Sequence, residues 1–319
     1  MNPSPPKSSP VRLPFFDILR GISLIAMTIY HFTWDLEFYG WILPGTTLEG
    51  GWVIFARAIA TSFLFLVGVS LMLAHAEVIR WRGYWKRLVQ VAAAAAVITV
   101  TTYIAFPETF IFFGILHAIA VFSVLALAFV GLHWSISALA AVAIFVIWKV
   151  AKVDLFQLPV LWWIGLVPKP PLSNDYVPVF PWLAATLAGI ALANLAARLG
   201  VLKPFGAIDL PTLLSKPLSF IGQHSLVYYM LHQPVMLGLL WVFTAFAGPP
   251  DRTASFLHLC TKQCSQTRGE MFCKPYCECV GDGMKRELIF EPFHEGAVNI
   301  ATDPTARRII EQCSAAQKQ

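Results

Sequence analysis

The chain has 319 residues, 57% of them hydrophobic and 13% charged, with a mean hydropathy of +0.65. That balance excludes a soluble globular domain and reads as an integral membrane protein. The formal net charge of +5 is no nucleic-acid footprint, because the basic residues lie mostly in short segments between apolar runs, where they set topology.

Residues 1–11 are rich in Pro and Ser and are expected to be disordered. Residues 12–247 form the membrane domain, an all-α polytopic bundle of about seven transmembrane helices. Apolar runs of spanning length fall at 16–38, 52–75, 88–106, 110–131, 134–153, 178–199 and 218–246. The first run has no small-residue cleavage site behind it and is expected to remain as an uncleaved anchor. With the N-terminus inside, ten Lys and Arg residues fall on the cytoplasmic side. Only Lys149, Lys152 and Lys169 fall in the opposite short loops. Seven spans then put the C-terminus outside, in the periplasm if the membrane is a bacterial inner membrane.

Two connecting segments stand out. Residues 154–182 hold six prolines, three Trp and a Tyr, which suits either an extracytoplasmic lid or an ordinary interfacial aromatic belt. The basic and aromatic RWRGYWKR at 80–87 reads as a cytoplasmic loop that anchors topology and can also attract donor phosphates. After Gly248 the composition shifts. All six cysteines lie in the tail, residues 248–319. Their even number in an extracytoplasmic segment fits disulfides, with 15 connectivities open. A zinc site from the CxxxC pairs is the alternative, although that spacing departs from C-x-x-C. Residues 302–318 are expected to form a short helix with Thr302 or Asp303 as N-cap and Pro304 in its first turn.

The first span carries the ionisable groups that matter most. Asp17 and Arg20 stand at its start, and His31, Asp35 and Glu37 at its far end. At 1.5 Å per residue, His31 lies roughly 16 Å along the axis from Arg20, past the middle of the bilayer. His31 and Asp35 are four residues apart and share a helix face, so the carboxylate can orient the imidazole as a general base. Asp17 and Arg20 can pair at the cytoplasmic mouth, either as a structural cap or as part of a donor site with Arg12. Counting from the expected boundaries puts His31, Arg57, His117 and His232 at similar depths, about 18 to 22 Å from the cytoplasmic face. Intramembrane ionisable groups are costly and mark functional sites, although buried histidines also serve as packing hydrogen bonders. The last span, with Ser225, Tyr228, Tyr229, His232 and Pro234, adds Tyr228 and His232 to the candidate substrate-binding set.

The pieces RLPFFDILRGISLIAM with His31 and Asp35, SFLFLVGVSLML at 62–73, FGILHAIA at 113–120, YVPVFPWLAATLAGI at 176–190 and SLVYYMLHQP at 225–234 carry a family resemblance. The chain resembles bacterial members of the heparan-alpha-glucosaminide N-acetyltransferase catalytic-domain family. The spacing from Arg20 to His31 is also similar to that of membrane acyltransferases that modify surface sugars. The resemblance implies an acyltransferase that moves an acyl group, acetyl in the family's case, from cytoplasmic acyl-CoA to a hydroxyl or amine of a cell-envelope saccharide. His31 and Asp35 would be catalytic. Arg57, His117, His232 and Tyr228 would face the acceptor, and Arg12, Asp17 and Arg20 the donor. No metal or tightly bound cofactor is expected; the implied partners are the bilayer, acyl-CoA and the saccharide. Two other classes stay open: a transporter or flippase for an anionic lipid or sugar, with Arg57 as its site, and a non-catalytic membrane anchor that displays the tail.

Overall fold

The structure is a computed structural model that describes residues 14–201, 212–248, 250–294 and 296–317. Arg12 lies outside the described residues. The apolar runs fold as α1 (Pro14–Phe38), α2 (Gly50–His75), α3 (Trp81–Ala105), α4 (Ile115–Leu127), α5 (Trp134–Val150), α6 (Val179–Arg198), α7 (Thr212–Gln223) and α8 (Ser225–Ala247). Among the described residues no strand occurs, and the molecule is a multi-pass, all-α membrane protein.

The apolar runs expected as seven spans differ in length as helices. Among the described residues five helices, α1, α2, α3, α6 and α8, are long and apolar enough to cross a membrane, while α4 and α5 have 13 and 17 residues. At 1.5 Å per residue those two measure about 20 and 26 Å, short of a bilayer core of about 30 Å. The run expected to start at 110 becomes helical only at Ile115. The chain at 109–113 instead bonds to the segment before α6: Asn174 N–H donates to the Thr109 carbonyl at 2.8 Å and Val177 N–H to that of Phe113 at 2.9 Å. The Ser173 hydroxyl donates to the Phe110 carbonyl at 3.0 Å. The basic stretch 80–87 is not a loop either. It forms the first two turns of α3, entered at Arg80, whose amide donates to His75 Nδ1 at 3.2 Å. The run expected as one span over 218–246 is two helices broken at His224.

By contacts the chain groups into two compact units, residues 1–28 with 54–233, and residues 29–53 with 234–319. In the first, α5 lies along α6, and α4 packs on both α3 and α6. Its centre includes Leu64, Phe122, Leu187 and Ile190, none more than 2% exposed. Membrane helices gain little from hydrophobicity against lipid and associate by close packing of small residues. Gly68 and Gly189 provide that contact between α2 and α6. A methyl group on Gly68 would overlap the Thr186 carbonyl, and one on Gly189 the Phe65 carbonyl.

The second unit holds the far part of α1, the first turn of α2, most of α8 and the tail helices α9 (Thr253–Cys264), α10 (Glu270–Arg286), α11 (Phe290–His294) and α12 (Pro304–Ala316). The connectivity left open by the sequence is Cys260–Cys277, Cys264–Cys273 and Cys279–Cys313. The first two are successive rungs of an antiparallel α9–α10 hairpin, and the third ties α12 to α10. All six sulfurs are thus paired with one another instead of being arranged as CxxxC metal ligands. A small core of Phe256, Val280, Met284, Phe290 and Ile309 fills the tail. As expected, Asp303 caps α12, accepting the Ala306 amide at 2.8 Å, with Pro304 following.

Candidate active site

In the first unit a cavity of about 330 Å³ is lined by Arg20, Arg87, Gln90, Gln223, His224 and Tyr229, with Leu24, Leu66 and Ile115 among its apolar walls. Two glycines explain how its polar groups meet. Gly21, next to Arg20, touches the backbone at Leu218, and Gly222, next to Gln223, touches the backbone at Asp17, so α1 and α7 cross without side chains between them. Arg20 is fixed in place, its Nη1 donating to Asp17 Oδ1 at 2.6 Å and its Nη2 to the Ser70 hydroxyl. Arg87 comes from the second turn of α3. The break at His224 opens the α8 helix into the same cavity, because Ser225, Leu226 and Val227 also line it. A helix start carries unsatisfied amides and the positive end of the helix dipole. Two guanidinium groups and such a helix end on one cavity suit an anionic or strongly polar ligand.

At the start of α4, His117 uses both ring nitrogens. Nδ1 accepts the Gly114 amide at 3.2 Å, which leaves Nε2–H to donate to the Thr99 hydroxyl at 3.0 Å, and Thr99 in turn donates to the Ile111 carbonyl at 2.8 Å. His117 is therefore engaged in shaping the α4 start. Asp175, absent from the sequence-derived candidates, accepts the Ile115 amide on Oδ2 at 2.7 Å. Burial raises its carboxyl to about 6, against the opposing effect of that hydrogen bond. Gly114 has to be glycine here, because a methyl group would overlap the Asp175 carboxylate.

On α8, His232 is buried, and its Nδ1–H donates to the Tyr229 carbonyl at 2.6 Å, which fixes Nε2 as the lone-pair nitrogen of the neutral ring. Tyr228 stacks nearly parallel to it, 6.2 Å between ring centres. The Thr28 hydroxyl donates to the Leu24 carbonyl at 2.9 Å and so accepts from the Tyr228 hydroxyl at 2.8 Å. Arg57 lies exposed on α2.

In the second unit, α1 places His31 and Asp35 one turn apart on one face. His31 is partly exposed and Asp35 is 0% exposed. Burial first, and then the Asp35 charge, raise the pKa of the Tyr39 hydroxyl, which donates to the Leu237 carbonyl at 3.1 Å. Glu37 is a clamp: Oε1 accepts the Gly45 amide at 2.5 Å, and Oε2 accepts the Thr47 amide and hydroxyl at 3.0 and 2.9 Å. Among the described residues no cluster of three or more metal-ligating side chains occurs.

The family model described as heparan-alpha-glucosaminide N-acetyltransferase, catalytic, matches residues 12–234, which include α1 to α7, the break at His224 and the part of α8 with His232. No curated protein and no solved structure matches the chain. The match takes in well over half of the sequence, so the chain belongs to the heparan-alpha-glucosaminide N-acetyltransferase catalytic-domain family.

Proposed function

We propose that this chain moves an acyl group, acetyl by analogy with its family, from cytoplasmic acyl-CoA to a hydroxyl or amine of a cell-envelope saccharide across a bacterial inner membrane. The observation that carries this reading is the cavity shared by Arg20, Arg87 and the start of α8, within the residues that match the family. Its two cations and helix end suit the phosphates and thioester arm of the donor, with the N-terminus and the basic start of α3 on the cytoplasmic side. His31 takes the proton from the acceptor as its oxygen or nitrogen bonds to the thioester carbonyl carbon, the carbon–sulfur bond breaks, and CoA leaves as the thiolate. Asp35 orients the imidazole and stabilises its protonated form. His232 and Tyr228 serve the acceptor, with Arg57 as a cation toward it.

The test separates the two ends of α1. Arg20→Ala is expected to weaken acetyl-CoA binding to the purified protein, whereas His31→Ala leaves it nearly intact and abolishes acceptor-dependent CoA release. Equal loss of CoA affinity in both variants contradicts the assignment. A second reading, a transporter for an anionic lipid or sugar, draws on the α7–α8 break, since transporters bind substrate at broken membrane helices. Substrate movement across vesicles without CoA release would favour it.

A further inference from the structure

The family match ends at residue 234, and acyl transfer as proposed gives the disulfide-bonded tail no task. Within the second unit, however, a continuous set of contacts runs from the tail to the helix that carries His31 and Asp35. Lys262 Nζ donates to Glu49 Oε1 at 2.6 Å. His258 lies one turn earlier on the same face of α9, and the Lys262 hydrogen bond and charge hold the Glu49 carboxyl below its ordinary value. Lys262 lies between Cys260 and Cys264, whose bonds to Cys277 and Cys273 fix this stretch of α9 onto α10. Glu49 ends the α1–α2 loop. That loop is tied back by Glu37, which holds Gly45 and Thr47 and stands two residues after Asp35. The loop and tail also meet at Gly40, whose φ is +82°, where a methyl group would contact the side chains of Pro250 and Arg252 at 3.6 and 3.8 Å.

We propose that the disulfide-bonded tail braces the α1–α2 loop through the Lys262–Glu49 pair and thereby positions the acceptor-facing side of the His31–Asp35 turn. Only the last step, toward the acceptor, rests on the acyltransferase reading. Lys262 and Glu49 are positioning residues. The pair is exposed, so it sets the loop's opening equilibrium and not the survival of the fold. The two hairpin disulfides are the rigid base against which Lys262 acts.

The experiment uses the full chain in nanodiscs and reads amide hydrogen exchange of the 40–49 peptide. Glu49→Lys and Lys262→Glu are each expected to speed exchange about two- to fivefold, the range open to an exposed ion pair. The doubly reversed protein returns toward the unmodified rate and serves as the folding control. High salt narrows the difference by screening, and reduction of the unmodified protein's disulfides speeds the same peptide. Unchanged exchange in both single variants, or after reduction, overturns the brace. In a parallel turnover arm with acetyl-CoA and methyl α-glucosaminide as the probe acceptor, Lys262→Glu raises the acceptor KM and leaves the donor KM unchanged. An equal rise in both constants overturns the acceptor-side positioning. Absence of CoA release with every hydroxyl or amine acceptor tried overturns the acyltransferase reading alone, since exchange is read without turnover.

Discussion

Asp175 sits at the first amide of a short apolar helix, and its carboxyl is raised from 3.8 to about 6 by burial. A carboxyl raised in the folded chain binds its proton more tightly there than in the unfolded chain. The stability it contributes is fully present below about pH 4 and is lost as pH rises through about 6, at ~1.4 kcal/mol per unit. Asp175→Asn keeps an acceptor for the Ile115 amide and cannot ionise. Thermal unfolding in detergent from pH 4 to 7 should therefore lose this slope in the variant, and parallel curves would assign the slope to another group. At His31 the expected cost of His31→Ala is a roughly hundred- to ten-thousandfold drop in turnover, the range of a general base. Asp35→Asn should cost less, because it keeps the shape and loses only imidazolium stabilisation. Wild-type CoA release by a folded His31→Ala protein would return His31 to a packing role. That His31 and Asp35 share one helix face was legible, because ionisable groups interrupt an apolar run at helical spacing. Asp175 was not, since its burial comes from pairing between segments 60 residues apart and its own neighbours in sequence look like an ordinary polar, proline-rich loop.

Helices were legible where their apolar runs are long, and their ends were not. The start of α3 hides in RWRGYWKR, because a basic aromatic run resembles a loop anchor even though its long side chains can reach polar surroundings from a helix. The late start of α4 follows from Pro107, Gly114 and hydrogen bonds to residues 173–177, a tertiary effect no local period reports. Proline disfavours a helix interior, yet α8 continues through Pro234 and the chain breaks at His224 instead. The glycines at helix crossings carry a prediction at this scale. Gly68→Leu and Gly189→Leu each push a side chain into the facing backbone carbonyl, which should destabilise the bundle by about 1–3 kcal/mol or more. Fluorescence-detected size exclusion after mild heating is expected to show each variant aggregating before the unmodified protein. Gly51→Leu, at a position with no atom within 4 Å of the added carbon, is the control that should behave normally.

Orientation belongs to the whole molecule, and the helix set bears on it through parity. Among the described residues the five helices of spanning length, or seven with the two shorter apolar ones, are odd totals either way, and α4 and α5 are joined by only the short segment 128–133. Counted together or set aside together, they argue for chain ends on opposite sides of the membrane. The ten-to-three distribution of Lys and Arg then argues for the N-terminus inside. The three disulfides argue independently for the tail outside, because such bonds persist in oxidising compartments. Since all six cysteines lie between 260 and 313, the native thiols report the side of the tail without any engineered site. In intact spheroplasts treated with an impermeant reductant, an impermeant maleimide is expected to label the protein. In cells left unreduced, labelling should stay low, because the thiols are paired. Labelling that appears only after lysis would put the tail in the cytoplasm, and with it the Lys262–Glu49 brace and the His31 end of α1. The Arg20 end of α1, proposed to meet the donor, would then lie outside, where acyl-CoA does not occur, and the acyltransferase reading would fail together with the topology.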